Sequence, residues 1–250
     1  MTMFKNWLPQ GVIPAVLLPF KPDFSIDAAA YRKHLRDVAA VPGLSALTVN
    51  GHSCEVHACN HDEQREVMRL TMDELGDRLP IIAGVYADGS LEAARIARHA
   101  EADGATALLV FPPQSMSMGG QLRPEMALAH FSTIAAATSL PLICFNYSLA
   151  GGLGYPPETL LRLVEAVPSI RAVIAEIGGE IGERVAAHPE NAARAVAVTQ
   201  HCLRGDEPGQ AAIDRQRPRP IRRRAPVAAR GRARRRRSLA SSARFPAPAI

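Results

Sequence analysis

Short apolar runs alternate with amphipathic segments along roughly the first 180 residues of the chain. Each run holds six to eight residues and is bounded by proline, glycine or polar residues, which is the pattern of buried β-strands. The segments between the runs carry apolar residues three or four positions apart, which predicts helices. The predicted strands are residues 12–18, 45–50, 80–85, 105–111, 140–145 and 169–176.

Start signals for helices stand between these strands. Ser25 and Ser90 are predicted N-caps, and Pro124 suits the first turn of a helix. Acidic residues follow His61, where the helix dipole favours them. The predicted helices cover residues 25–40, 61–75, 90–102, 124–138 and 157–166.

Strands that are apolar throughout need cover on both faces, which predicts an α/β fold with a parallel sheet. Two arrangements of such a sheet fit this pattern: a (β/α)8 TIM barrel and a doubly wound open sheet. The doubly wound sheet usually carries a glycine-rich phosphate loop after its first strand, whereas this chain has residues 19–21, Pro-Phe-Lys, at that position. The barrel is favoured, with about six βα units recognisable and an atypical C-terminal part.

Charge divides the chain into two parts. Residues 1–204 carry 16 basic and 21 acidic side chains, whereas residues 205–250 carry 13 arginines, no lysine and 3 acids. The barrel is assigned to residues 1–185, and residues 186–250 are predicted to form an Arg/Pro/Ala-rich, disordered tail that binds polyanions weakly. A reading-frame shift in GC-rich coding DNA is favoured over a selected nucleic-acid contact, because every basic residue of that tail is arginine.

Residues 192–198 are predicted to be helical, and a seventh and an eighth strand are not recognisable. The first and the sixth predicted strands would then be unpaired edges, which predicts self-association of the chain. No run approaches ~18 apolar residues and the start lacks a signal-peptide core, so no membrane contact is expected and the cytoplasm is the expected compartment. The four cysteines are expected to be reduced thiols.

Histidines and cysteines are concentrated in the loop after the second predicted strand. Their spacing is not that of a zinc knuckle and no second ligand pair follows, so neither a metal nor another cofactor is expected. His52 alone is a candidate general base, since an imidazole titrates in the required range. The loop residues are His52, Cys54, His57, Cys59 and His61.

Motifs at the predicted strand ends resemble, in order, those of the dihydrodipicolinate synthase and N-acetylneuraminate lyase family. The similarity implies a lyase that holds pyruvate or a related 2-oxo acid as a Schiff base on a strand-six lysine. It also implies that a strand-five tyrosine moves protons and that hydroxyls after strand two bind the carboxylate. The matching segments are residues 11–15, 50–55, 81–85, 112–113, 145–146 and 168–170.

The residues implied by the resemblance are largely replaced. Ile174 occupies the lysine position, and the three lysines of the chain all precede strand two. Phe145 occupies the tyrosine position, while Ser53 retains one carboxylate-binding hydroxyl beside His52. Tyr147 and Tyr86 are candidate replacement hydroxyls, although a displacement of two residues moves such a group ~7 Å along the strand.

We therefore expect an impaired or inactive family member, a pseudoenzyme without Schiff-base chemistry, whose candidate ligand is a small 2-oxo acid. His52, Ser53 and Tyr147 are the predicted binding residues, with His52 also a candidate acid or base. Two alternatives remain: a non-catalytic barrel that binds a small carboxylate, and a chain whose function is nucleic-acid contact through its tail.

Overall fold

Strands and helices alternate along the chain in the order that the sequence predicts. A computed structural model describes Phe4 and residues 7–147, 149–175 and 196–199. The strands are β1 (Leu47–Val49), β2 (Ile81–Val85), β3 (Ala107–Val110), β4 (Leu142–Asn146), β5 (Ile170–Ala175) and β6 (Val196–Thr199). The helices are α1 (Ala28–Ala39), α2 (His61–Leu75), α3 (Ser90–Ala102), α4 (Pro124–Ala135) and α5 (Pro157–Ala166).

The six strands form one parallel sheet in which each strand lies beside the next one in sequence, in the order β1-β2-β3-β4-β5-β6. A doubly wound sheet would reverse this order at a switch point, where its ligand binds. The described strands contain no such reversal. Their order is therefore that of a barrel wall rather than of an open nucleotide-binding sheet.

The first predicted strand, residues 12–18, is not a regular strand, and in this respect the prediction is wrong. The segment lies parallel to β1 with isolated bridges at Val12 and Ala15. The carbonyl of Pro14 accepts from the Thr48 N–H at 2.9 Å, and the Val16 N–H donates to the Thr48 carbonyl at 3.1 Å. Pro14 has no N–H of its own, so a continuous ladder cannot form through it.

Successive strand residues face two separate packing layers, as the period of two requires. On β4, Leu142 and Cys144 pack in the main core between sheet and helices. Ile143 and Phe145 belong to a smaller cluster inside the curved sheet. Cys144 is thus a small core residue on the helix side of the sheet.

Helix starts follow local hydrogen bonding more closely than residue type. Asn60 and Glu63 form a reciprocal capping box at the start of α2. The Asp27 side chain caps α1, so the predicted N-cap Ser25 is wrong; its hydroxyl instead donates to Asp23 at 2.7 Å. Gly89, rather than the predicted Ser90, is the N-cap residue of α3. None of the described helices is long and apolar enough to cross a bilayer.

β6 corrects two expectations about the C-terminal part. Residues 196–198 were predicted to be helical, but Val196–Thr199 pairs in parallel with Ala172–Ala175 of β5. The sixth predicted strand consequently has a neighbour on both sides and is not an edge. Hydrogen bonding to an exposed strand outweighs weak local helix propensity in such a segment. The predicted boundary at residue 185 and the Arg-rich residues 205–250 lie outside the described residues.

A buried histidine makes the stability of the fold depend on pH. His130 of α4 is 1% exposed, and its Nδ1 lies 3.0 Å from the Ser90 hydroxyl. Burial lowers its pKa from 6.5 to about 4, so between these values the unfolded chain binds a proton that the folded chain does not. We expect full stability above pH 6.5 and a loss of up to about 3 kcal/mol as the pH falls towards 4.

Urea unfolding at several pH values measures this dependence. His130→Leu is expected to flatten it between pH 6.5 and 4, because the buried imidazole is removed. An equally steep loss in His130→Leu would assign the acid sensitivity to other groups.

Candidate functional site

A cavity of about 240 Å³ opens inside the curved sheet, towards the carboxyl ends of its strands. Its size suits a small molecule rather than a drug-sized one. Thr48, His52 and Ser53 supply its polar side chains. The rest of the wall is mainly apolar and comes from neighbouring strands, through Ile82, Leu109, Phe111, Ile143, Phe145 and Ile174.

A tight turn after β1 presents the polar wall. Residues His52–Cys54 form one 3₁₀ turn. Asn50, two residues before it, and Glu55, directly after it, adopt positive φ angles of 52° and 53°. The Asn50 side-chain amide donates to the Gln64 carbonyl of α2 at 2.9 Å. This anchor fixes the direction in which the turn leaves the strand, and with it the positions of His52 and Ser53.

Ser53 borders the cavity, as expected for a residue that the sequence predicts to bind the carboxylate of a ligand. Its hydroxyl, however, donates to the Val16 carbonyl at 3.0 Å. A bound carboxylate would have to draw this proton away from the backbone, so the net gain from the Ser53 hydroxyl is that of an exchanged hydrogen bond. Its role in binding remains a prediction.

His52 lies in an aromatic enclosure at the mouth of the barrel. Its ring centroid is 4.3 Å from that of Phe111, 5.6 Å from that of Tyr86 and 6.1 Å from that of Phe145. Burial, and then the nearby His57, lower the pKa of the His52 imidazole below its usual 6.5. The ring is therefore neutral at pH 7 and able to accept a proton.

Tyr147 follows β4 and contacts His52 directly. Its hydroxyl is hydrogen-bonded to Nε2 of His52, and its ring packs edge-on against Phe145 at 4.8 Å. Asn146, beside it, accepts the Tyr155 N–H at 2.7 Å and thereby fixes the chain after β4. The sequence named both His52 and Tyr147 as candidates but gave no sign of their contact, because they lie on loops 95 residues apart.

Ile174 of β5 faces the cavity and is paired in register with Phe145 of β4. The sequence placed the two residues at the lysine and tyrosine positions of the resemblance, and the structure brings them side by side. None of the described residues that line the cavity is a lysine. Lys33, on α1, is instead exposed and forms an ion pair with Asp37 at 2.5 Å.

The histidines and cysteines of the loop point in different directions. Cys54 is buried, with its thiol 3.1 Å from the Val16 carbonyl, and burial raises its pKa to about 11. His61 Nε2 instead lies 2.5 Å from Nδ1 of His99 on α3. Within the described part of the chain, no three His, Cys, Asp or Glu side chains are placed to hold a metal ion.

Comparison with solved structures shows the same fold. The 4-hydroxy-tetrahydrodipicolinate synthase of Methylacidiphilum fumariolicum SolV superposes with a TM-score of 0.63 at 26% identity, over 76% of this chain and 61% of that chain. The dihydrodipicolinate synthase of Aquifex aeolicus gives a TM-score of 0.65 at 22% identity, over 76% and 62%. These similarities confirm the predicted (β/α)8 barrel class, with a partial barrel in the described residues.

Curated relatives agree with this assignment. The 4-hydroxy-tetrahydrodipicolinate synthase of Salinibacter ruber is 35% identical over 181 residues, which are 72% of this chain and 57% of that protein. That of Agrobacterium fabrum is 33% identical over 164 residues, which are 66% and 54%. The chain thus spans little more than half the length of these relatives. Residues 8–190 match the model of the dihydrodipicolinate synthetase family, and the chain belongs to that family.

Proposed function

We propose that this chain binds a small 2-oxo acid, with pyruvate as the type compound, in the cavity inside its sheet and does not form a Schiff base with it. The chain belongs to the dihydrodipicolinate synthetase family, and its relatives from Salinibacter ruber and Agrobacterium fabrum are 4-hydroxy-tetrahydrodipicolinate synthases. In this proposal the family's pocket is retained and its covalent step is lost.

The observation that carries the proposal is Ile174 on the cavity wall. A Schiff base needs a primary amine within bonding distance of the substrate carbonyl, and an isoleucine side chain offers none. Phe145, beside it, likewise has no hydroxyl with which to move a proton. Ile174 and Phe145 therefore lack the reactive groups of the implied lysine and tyrosine, but their apolar side chains still form part of the pocket wall.

The polar side of the cavity supports binding of a carboxylate. The turn that carries His52 and Ser53 brings an imidazole and a hydroxyl to the cavity wall. The rest of the wall is mainly apolar and suits the carbon end of a small 2-oxo acid. Such a division gives a ligand one orientation, with its carboxylate towards Ser53 and its carbon chain between His52 and Ile174, against Phe145, which neighbours both.

Calorimetry with pyruvate tests the binding. We expect saturable binding that weakens about fivefold in Ser53→Ala, which corresponds to one net hydrogen bond of about 1 kcal/mol. Ser25→Ala removes an exposed hydroxyl that lies outside the cavity and is the matched control. Equal affinity in wild type and Ser53→Ala would contradict the assigned orientation, and absence of any heat would overturn the proposed function.

Borohydride reduction in the presence of pyruvate tests the missing covalent step. The intact mass of the wild-type protein is expected to stay unchanged, because the chain places no lysine on the described cavity wall. A covalent adduct mapped to any residue of the cavity would show that Schiff-base chemistry persists.

A further inference from the structure

His52 combines access to the cavity with a hydrogen-bonded partner. Its ring forms part of the cavity wall, and its Nε2 is hydrogen-bonded to the Tyr147 hydroxyl. A partner on one imidazole nitrogen fixes the orientation of the ring, and a tyrosine hydroxyl can accept a hydrogen bond from it or donate one to it. With the Nε2–H donating to Tyr147, the lone pair of the neutral ring resides on Nδ1.

The surroundings of His52 keep it in its basic form. Among the described residues, the titratable rings that contact His52 are those of His57 on the same loop, Tyr86 after β2 and Tyr147 after β4. From β3 and β4 the contacts are with the uncharged rings of Phe111 and Phe145. Among these neighbours there is no carboxylate that would hold the imidazole in its charged form.

We propose that His52 is the general base of a non-covalent activity, the reversible enolisation of a 2-oxo acid that carries hydrogen on C3, and that Tyr147 is its positioning residue. This inference rests on the proposed binding of a 2-oxo acid in the same cavity. It assigns a base role to the His52 imidazole and a positioning role to Tyr147, and the covalent chemistry implied by the sequence resemblance uses neither of these groups.

The step is a proton transfer and needs no other reactant. Nδ1 of His52 takes a proton from C3, the C–H electron pair forms the C2–C3 double bond, and the carbonyl π pair moves to the C2 oxygen. The products are an enolate and an imidazolium, whose opposite charges attract each other in a cavity of low polarity. The imidazolium exchanges its proton with water, and the reverse step returns a solvent proton to C3.

Tyr147 acts through His52 rather than on the ligand. Its oxygen accepts the Nε2–H, and this hydrogen bond strengthens when the ring becomes positively charged. Removing the oxygen should lower the pKa of the imidazole and loosen the orientation of the ring. If Tyr147 only packed against its neighbours, its replacement would change the stability of the fold but not the pH dependence of the exchange rate.

Proton NMR of pyruvate in D2O measures the activity as loss of the methyl signal. We expect exchange in the presence of the full-length chain to be at least about 10²-fold faster than with His52→Gln, which is the lower range for general base catalysis. His34→Gln is the matched control, because the Nε2 of His34 accepts the Leu17 N–H outside the cavity. The exchange rate should fall at acid pH as His52 becomes protonated.

Tyr147→Phe separates positioning from packing. We expect slower exchange and an acid limb that moves to lower pH, while calorimetry shows that pyruvate still binds. An unshifted acid limb would overturn the role of Tyr147, and equal exchange rates for wild type and His52→Gln would overturn that of His52. If pyruvate binds but its exchange does not depend on His52, only this inference fails. If the wild type does not bind pyruvate, the proposed function fails together with it.

Discussion

Replacing Ile174 with lysine is expected to give a protein that becomes covalently labelled when pyruvate and borohydride are added together, whereas the wild type stays unlabelled. Position 174 faces an apolar cavity, where a primary amine loses part of its hydration. Burial lowers the pKa of a lysine and raises the fraction of neutral, nucleophilic amine at pH 7. Intact-mass spectrometry measures the labelled fraction, and peptide mapping identifies the residue.

The controls for this experiment lie within the chain. The wild type already carries three lysines, Lys5, Lys21 and Lys33, which report any labelling that does not depend on the cavity. Ile174→Arg introduces a cation of similar length that forms no imine with pyruvate. A folded Ile174→Lys variant that remains unlabelled would show that position 174 does not meet the carbonyl of the ligand, which would contradict the proposed binding mode.

Gly84→Ala is expected to destabilise the fold by about 3 kcal/mol, at the upper end of the usual cost of overpacking. A Cβ at position 84 would lie 1.9 Å from the carbonyl oxygen of Asn50 and 2.6 Å from its carbonyl carbon. Asn50 has little freedom to move away, because its side chain is hydrogen-bonded to α2 and its φ is 52°. Urea unfolding followed by circular dichroism measures the loss.

Gly89→Ala is the matched control for this substitution. Gly89 has ordinary extended φ and ψ angles of −93° and 131°, and no atom lies within 4 Å of an added Cβ. We expect Gly89→Ala to lower the free energy of unfolding by no more than about 1 kcal/mol, because alanine is a poorer N-cap residue than glycine. Equal stability losses in Gly84→Ala and Gly89→Ala would show that the contact between β2 and the Asn50 turn is not tight.

The prediction of elements succeeded where local pattern and tertiary packing coincide. The helices at 61–75 and 157–166 have the predicted bounds, because the capping box of the first, the N-terminal proline of the second and the apolar stripes of both are encoded within a few residues. The segment 12–18 is equally apolar but forms only isolated bridges, because Pro14 interrupts its hydrogen bonding. β6 was missed because its partner, β5, lies 20 residues earlier and supplies the stabilising bonds.

The candidate site was predicted in part, for a similar reason. Residues at strand ends converge in a parallel barrel, and the resemblance to the family singled out His52, Ser53, Phe145 and Ile174 among them. The hydrogen bond between His52 and Tyr147 could not, because it depends on side-chain direction at the ends of two separate strands. The engagement of the Ser53 hydroxyl by a backbone carbonyl was equally hidden.

The sequence by itself determined the alternation of strands and helices, the barrel class and the absence of a lysine after residue 33. These properties follow from composition, from periodicity and from residue identity, which are local. Only the tertiary structure decided that Ile174 lines a cavity, that His52 is paired with Tyr147 and that Gly84 makes room for the Asn50 turn. Each of these is a contact between segments distant in sequence, fixed by the register and curvature of the sheet rather than by any single segment.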